Sequence, residues 1–306
     1  MSKLRRSRIH VSAGDRTLEI VCIIIFTIAA ILCMYPFYYV IINSISANDI
    51  SARGDVIFWP KGLHFHNFTS AFKIEGLPRA FLISILRTVI GTSFTVMASA
   101  YLGYMFTLEK MWLRKVWYRI IIATMYFNAG VIPMYLIMRQ LHLTNNFWVY
   151  ILPVIVSPFN LVLTKTFVEA VPREMLEAAE IDGAGTIKIF TSIIIPVIKP
   201  IMATVAIFSA VGQWNAFQDT LIYCTDNKLY PLQFVLYQYL NQASSFASLA
   251  QSNTSTSSLA AAAATTQTTT SVRMTITVIV VLPIMLVYPI FQKYFVKGIM
   301  IGAVKG

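Results

Sequence analysis

Six runs of about 20 predominantly apolar residues recur along the chain, and each is long enough to cross the hydrocarbon core of a membrane as a helix. A spanning segment must satisfy its own backbone hydrogen bonds, which a helix does and an open strand does not. The sequence therefore predicts an all-α integral membrane protein with six transmembrane helices. The predicted spans are residues 20–42, 84–106, 116–138, 147–168, 201–223 and 275–297.

The composition agrees with a membrane protein rather than a soluble domain. Charged residues make up 12% of the 306 positions, against about 25% in ordinary soluble domains, and the mean hydropathy is +0.67. The net charge of +11 does not indicate nucleic-acid binding, because the basic residues flank the apolar runs instead of forming one patch. The three cysteines are too few and too scattered for a disulfide framework or a metal site.

The positions of Lys and Arg predict which loops face the cytoplasm. Sixteen of the 24 basic residues fall in one alternating set of segments, and the longer remaining segments hold eight. Cytoplasmic loops of membrane proteins are enriched in these residues, so both termini are predicted to lie in the cytoplasm. The predicted cytoplasmic segments are 1–19, 107–119, 165–199 and 293–306. The first span is too long for a signal peptide and is predicted to be retained.

One transmembrane domain, residues 20–298, is predicted between the N-terminal segment 1–19 and a cytoplasmic tail, residues 299–306. Its outer loop 243–272 is rich in Ser, Thr and Ala and carries no charge. Such a composition offers little apolar surface to bury, so we expect a flexible linker, with a contact to an extracellular partner as the alternative.

Two of the predicted spans contain residues that are unusual in a transmembrane helix. Arg87 lies near the start of the second span, where we expect its side chain to reach the outer interface, because burying a charge in a membrane is costly. Asn128, Gly130 and Pro133 interrupt the third span and could kink or break its helix.

The predicted cytoplasmic loop 169–199, here called the elbow, has the pattern of a helix–turn–helix. Pro172 suits the start of a first helix, and Gly183 stands where a left-handed glycine would end it. A second short helix is predicted from about Thr186 to Ile195. Pro196 is then expected to force a change of direction before the fifth span.

The elbow resembles the EAA motif of ABC importer permeases, which reads Glu-Ala-Ala, three residues, Gly, nine residues, then Ile, any residue, Leu and Pro. The motif falls here on Glu177, Ala178, Ala179, Gly183, Ile193, Ile195 and Pro196, with Ile195 in place of Leu. The resemblance implies that this coupling helix docks in a cleft of a cytoplasmic ATPase. Glu177 would then supply a charge, the alanines would allow close approach, and Gly183 would set the turn.

Other segments are similar to carbohydrate-type permeases of the MalG-like, LplC/YtcP-type subgroup. These segments are residues 128–153, 213–223 and 288–306. The resemblance implies the type I ABC importer permease fold and uptake of an oligosaccharide or complex glycan. It also implies a bacterial plasma membrane and four partner chains: a second permease, expected to be a paralogue in a heterodimer, two ABC ATPases, and an extracellular solute-binding lipoprotein. Apart from these, the substrate and membrane lipid are the expected contacts, and nucleic acid is not.

The chain contains no phosphate-binding Gly-x-x-x-x-Gly-Lys-Ser/Thr motif, so no cofactor is expected on it. ATP and Mg²⁺ are expected on the partner ATPases, and this subunit is predicted to be non-catalytic. Two histidines, His64 and His66, alternate like ligands on a strand, but a metal site would need more ligands nearby. They are interpreted as incidental.

Polar residues in the fifth span are candidates for the substrate pathway, because polar groups in a span usually face a cavity or a partner. They are Gln213, Trp214, Asn215, Gln218 and Asp219. Two alternatives stay open, namely that Asp219 lies at the outer interface and that Trp214 serves packing. At the level of the whole protein, the alternatives are an ABC importer for a non-carbohydrate solute and a stand-alone secondary transporter.

Overall fold

The computed structural model describes residues 13–241, 272–287 and 289, and within these residues it is helical with no strand. Eleven α-helical segments are bounded as follows: α1 Ala13–Ser44, α2 Asn48–Ala52, α3 His66–Phe72, α4 Leu77–Met105, α5 Arg114–Ala123, α6 Val131–Gln140, α7 Pro158–Glu169, α8 Arg173–Ile181, α9 Thr186–Ile189, α10 Ile195–Asn215 and α11 Gln218–Tyr223. Two more follow, α12 over 232–241 and α13 Val272–Val287. The predicted loop 243–272 lies outside the described residues apart from its last position, and the tail 299–306 lies wholly outside them.

Three of the described helices are long and apolar enough to cross a membrane: Gly14–Ser44, Leu77–Met105 and Thr186–Asn215. A fourth candidate is the pair Phe147–Val154 and Pro158–Glu169, which is bent by 48° at a short break. The predicted fourth span is therefore not a straight helix. Its first half consists of two 3₁₀ turns, Phe147–Tyr150 and Leu152–Val154, and Ser157 then caps α7 by accepting a bond from the Asn160 amide.

The predicted third span, 116–138, is not one helix but the two ten-residue helices α5 and α6. Each is about 15 Å long and too short to cross a bilayer alone. Residues 124–130 separate them, and the Asn128 side chain accepts a 2.9 Å bond from the Gly130 amide. Gly130, immediately before α6, has φ +85°, a backbone conformation in which only glycine is unstrained. Pro133 then falls in the first turn of α6, where its missing N–H costs no hydrogen bond.

The predicted change of direction at Pro196 is wrong. The chain runs as one 30-residue helix from Thr186 to Asn215, here called helix 186–215, through both Pro196 and Pro200. A π-helical turn, Phe190–Ile194, lies immediately before Pro196. Its wider hydrogen-bonding pattern accommodates a residue that has no amide donor, so the helix continues where a strict α-helix would break.

The predicted fifth span, 201–223, is also bounded differently. Helix 186–215 begins inside the predicted elbow and ends at Asn215, because Ala216 is extended, with ψ 131°. The short helix α11 follows after this break. The break points the backbone carbonyl of Ala216 toward α4, where it accepts a hydrogen bond from Arg87.

Helix α4 is the centre of the packing and contacts both helix 186–215 and α7. Gly103 lets α4 approach α7 closely, since a Cβ at this position would lie 3.1 Å from the Lys165 amide nitrogen. At one end of α4, Tyr104 stacks on Phe190 with ring centroids 5.6 Å apart. At the other end, Leu77 and Ala80 pack against α12 and α13. Helix α4 therefore contacts helix 186–215 near both Phe190 and Trp214.

Candidate translocation cavity and coupling elbow

Arg87 is buried, contrary to the expectation that it reaches the interface, and its side chain is 1% exposed. It lies ten residues into α4 and turns toward the end of helix 186–215. An ion in the interior of a membrane protein persists when partner groups replace its hydration. Here the partners come from the break at residue 216 and from α11.

All five guanidinium N–H groups of Arg87 have acceptors. Nε and Nη2 donate to Gln213 Oε1 at 3.2 and 3.1 Å, and Nη1 donates to the Ala216 carbonyl at 3.1 Å. Nη1 and Nη2 also donate to Asp219 Oδ1 and Oδ2, at 3.3 and 2.5 Å. The guanidinium carbon lies 4.3 Å from the centroid of the Tyr150 ring, which adds a cation–π contact. Arg87 therefore has no donor left for another ligand.

Gln213 is held in this network from both ends of its amide. Its Oε1 accepts from Arg87, and its Nε2 donates to the Tyr150 carbonyl at 3.0 Å. Gly91 makes room for it, because a Cβ at that position would lie 2.5 Å from Gln213 Nε2. The absence of a side chain at Gly91 is thus what lets the amide lie against α4.

The network forms one wall of a cavity of about 570 Å³ between α4, α7 and the end of helix 186–215. That size is within the usual range for small-molecule sites. Both polar and apolar side chains line it. Its lining residues are Arg87, Thr95, Tyr150, Val154, Ser157, Phe159, Asn160, Phe208, Ser209, Gly212, Gln213, Ala216 and Asp219.

The candidate pathway residues divide between this cavity and other surroundings. Gln213 and Asp219 line the cavity, whereas Trp214 is buried in packing and donates from Nε1 to the Val280 carbonyl at 2.9 Å. Asn215 is exposed and donates to the Val211 carbonyl of its own helix, and Gln218 is exposed. Arg87 was not among the predicted pathway residues, although a charge inside a predicted span was the signal that could have indicated it.

At the opposite end of helix 186–215, the elbow has the predicted turn. Helix α8 ends at Ile181, and Gly183 has φ +75°, the left-handed conformation expected of a glycine that terminates a helix. The Gly183 amide donates to the Glu180 carbonyl at 3.0 Å, and the Ala184 amide donates to the Ala179 carbonyl at 2.9 Å. This part of the prediction is confirmed.

The motif residues of the elbow have two kinds of surroundings. Glu177, Ala178 and Gly183 are exposed, as is Pro196. Ala179, Ile193 and Ile195 pack against the buried cluster that contains Tyr104 and Phe190. The exposed members are available to a partner, whereas the packed members tie the elbow to α4.

Two ion pairs also join the elbow to the segment after α4. Lys110 Nζ lies 2.9 Å from Glu180 Oε2, and Arg173 Nη1 lies 3.4 Å from Glu109 Oε1. Both pairs are largely exposed, and such pairs contribute about 0–1 kcal/mol. They flank a groove of about 410 Å³ that Glu177 also lines. In the described part of the chain, no cluster of three His, Cys, Asp or Glu side chains could hold a metal ion.

Residues 95–301 match the family described as the binding-protein-dependent transport system inner membrane component. The matched region includes most of the cavity wall and the whole elbow. The chain belongs to this family. Its members are transport components of the membrane, in agreement with a chain whose long helices are apolar and exposed.

Several characterised proteins are similar over nearly the whole chain. Protein LplC of Bacillus subtilis (strain 168) is 32% identical over 97% of this chain and 98% of its own. The polygalacturonan/rhamnogalacturonan transport system permease protein YtcP of the same organism is 28% identical, over 90% and 94%. A crystal structure of a bacterial ABC transporter involved in the import of the acidic polysaccharide alginate has a chain with a TM-score of 0.82 and 27% identity, covering 93% of this chain and 98% of that one. The melibiose/raffinose/stachyose import permease protein MelC of Bacillus subtilis (strain 168) is 27% identical, over 93% and 96%.

Proposed function

We propose that this chain is the permease subunit of an ATP-driven ABC importer and forms half of the translocation pathway for an oligosaccharide or complex glycan. Its family and the transport names of its relatives support this function. An extracellular solute-binding protein would deliver the sugar. A second permease, expected to be a paralogue, would form the other half of the pathway.

Helix 186–215 is the observation that carries the proposal. Its N-terminal part, residues 186–199, belongs to the elbow, and Gln213 near its last residue lines the cavity. At the α-helical rise, a helix of 30 residues is about 45 Å long, enough to reach across a membrane. A displacement imposed at the elbow therefore reaches the cavity wall through one rigid element.

In the proposed mechanism, two partner ATPases bind ATP and Mg²⁺ and close on each other in the cytoplasm. The elbows follow the ATPases, and the paired permeases change from inward-facing to outward-facing. Sugar then enters the cavity from the binding protein, and hydrolysis resets the cycle. In thermodynamic terms, nucleotide binding shifts a two-state equilibrium because it favours one of the two states.

The exposed elbow residues are suited to docking. Glu177 offers a charge, Ala178 leaves room for close approach, and the neighbouring Met175 and Ile181 are exposed apolar side chains on the same helix. Ile193 and Ile195 would transmit the motion, since they pack against the cluster on α4.

The proposal is tested by purifying the tagged chain from native membranes in mild detergent and identifying its partners by mass spectrometry. We expect an ABC ATPase, a second permease and a solute-binding lipoprotein, and the lipoprotein can then be screened against a panel of sugars. A stable complex without an ATPase, under conditions that keep a known importer intact, would contradict the proposal and favour a stand-alone transporter. A lipoprotein that binds peptides or amino acids would instead contradict the carbohydrate substrate alone.

A further inference from the structure

We infer that Asp219 accepts hydrogen bonds from substrate hydroxyls, that Arg87 acts as its positioning residue and not as a cation for the substrate, and that this half of the pathway favours an uncharged sugar over a uronate. The inference rests on the proposed function and goes further, because it names the charge class of the sugar and the residues that select it.

The first step is that the Arg87 guanidinium has all of its hydrogen-bond donors paired within the protein. A guanidinium has five N–H donors and no acceptor, and all five are directed at Gln213, Ala216 and Asp219. Arg87 lines the cavity, but its side chain is 1% exposed and its donors are already paired. Binding a substrate carboxylate would require Arg87 to give up contacts that it already has.

The second step is the free capacity of Asp219. Its Oδ1 accepts from Arg87 Nη1 and from the amide and hydroxyl of Thr220, at 3.3, 2.8 and 3.4 Å. Its Oδ2 accepts one bond within the described part of the chain, from Arg87 Nη2. A carboxylate oxygen can accept at least two, and the Asp219 side chain is 23% exposed at the cavity wall. Asp219 Oδ2 therefore has acceptor capacity left for a hydroxyl donor.

The third step is the charge of the whole cavity. Arg87 and Asp219 are the two charged members of its described lining, and they neutralise each other. The remaining polar members are hydroxyls and amides, Thr95, Tyr150, Ser157, Asn160, Ser209 and Gln213. A sugar hydroxyl finds acceptors here, whereas a uronate carboxylate would approach the Asp219 carboxylate with no unsatisfied cation nearby. Like charges brought together out of water are strongly disfavoured.

The similar proteins do not decide this question by name. Two of them are named for acidic polysaccharides, alginate and polygalacturonan, and one for the neutral sugars melibiose, raffinose and stachyose. The Arg87–Asp219 pair therefore supplies information about the substrate that the comparisons leave open.

The test measures binding of matched trisaccharides to the complete permease–ATPase complex in lipid nanodiscs by equilibrium dialysis. The probes are α-1,4-linked galactotriose with trigalacturonate, and mannotriose with trimannuronate, which differ in the oxidation of C6. In the wild type we expect the better-bound neutral sugar to bind about tenfold more tightly than its acidic counterpart. In Asp219→Asn, where Arg87 keeps its charge without a counterion, this preference falls by about tenfold or reverses.

Two further variants distinguish an effect of the lost Asp219 charge from an effect of misfolding. Asp226→Asn makes the same chemical change at an exposed residue outside the cavity, and its preference should equal that of the wild type. Arg87→Gln combined with Asp219→Asn removes both charges and leaves no buried unpaired ion. We expect this double variant to fold and to be measurable even if Asp219→Asn alone is unstable. Its preference should lie between those of the wild type and Asp219→Asn.

A wild type that prefers the acidic sugars would overturn the inference and leave the proposed importer intact. The same holds if the preference is unchanged in both variants that remove the Asp219 charge. If neither the trisaccharides nor any sugar of the wider panel binds to the assembled complex, the carbohydrate function itself is contradicted, and the inference with it.

Discussion

The Arg87 guanidinium and the Asp219 carboxylate lie 2.5 Å apart although 132 positions separate them in the chain. The pair joins α4 to the segment that follows helix 186–215, at the wall of the cavity. It is a structural connection and, by our inference, a selective one. Its effect on the stability of the fold and its effect on substrate preference can be measured independently.

Removing one member of the pair should destabilise the fold. In Arg87→Met, Asp219 loses its counterion and Gln213 loses two hydrogen bonds, and breaking a buried ion pair costs about 3–5 kcal/mol. We expect a large fall in the amount of folded protein and earlier unfolding in a detergent-titration assay. The double variant Arg87→Met with Asp219→Leu should recover part of that loss. A double variant that is as unstable as the sum of the two singles would show that the residues do not interact.

Gly91→Ala should disturb the same wall by steric overlap. The new Cβ would lie 2.5 Å from Gln213 Nε2, so the Gln213 amide must move away from α4 and from Arg87. Overpacking of this kind costs about 1–3 kcal/mol, and we expect lower substrate uptake at equal protein level. Ser93→Ala on the same helix, where the side chain is exposed, is the matched control. Equal uptake by both variants would contradict the role assigned to Gln213.

The sequence was informative where the relevant interaction is local. Gly183 was predicted to end a helix in a left-handed turn, because that conformation is a property of glycine itself, and its φ is +75°. Likewise, Asn128 and Gly130 marked the break in the third span, since an amide cap and a positive φ act within a few residues. The motif spacing located the elbow for the same reason.

The sequence was uninformative where the outcome depends on packing between distant segments. Pro196 was expected to redirect the chain, but the π turn at Phe190–Ile194 and the stacking of Phe190 on Tyr104 of α4 keep the helix continuous. Arg87 was expected at the interface but is buried. Its acceptors lie more than 120 positions away along the chain, and no local pattern reveals them. Gln213 and Asp219 could be proposed from their polarity, but Trp214 and Asn215 share that polarity and lie elsewhere.

Substituting the turn of the elbow should uncouple ATP hydrolysis from uptake. Gly183→Pro is incompatible with φ +75°, since proline fixes φ near −65°, so α8 cannot close onto α9 as it does now. We expect the protein to insert and assemble while uptake in reconstituted vesicles is lost. Gly185→Ala is the control, because Gly185 has φ −72° and a Cβ there meets nothing within 4 Å. Normal uptake by the Gly183→Pro variant would rule out a rigid turn as the coupling element.

Reversing the charge at Glu177 tests the docking face separately from the fold of the elbow. Glu177 is exposed on α8, so Glu177→Lys should leave the helix and the turn unchanged. It would place a positive charge where the partner ATPase is expected to meet a carboxylate. We expect reduced ATPase recovery in copurification and reduced uptake. Glu174→Lys, three residues earlier in the same helix, makes the same change of charge outside the motif. If the two variants behave alike, the effect belongs to the net charge of the helix and not to docking at Glu177.

Trp214→Phe should distinguish a packing role of Trp214 from contact with the substrate. Trp214 is buried against Phe81 and donates to the Val280 carbonyl of α13, and it does not line the cavity that holds Gln213. Phenylalanine keeps most of the apolar contact and loses the indole donor, which should cost about 1 kcal/mol of stability. We therefore expect a modest fall in thermal stability, with the half-saturating sugar concentration for uptake unchanged. In Asp219→Asn, by contrast, that concentration should change. A raised half-saturating concentration in Trp214→Phe at normal stability would instead place the indole on the substrate path, in a state of the transporter where α13 has separated from helix 186–215.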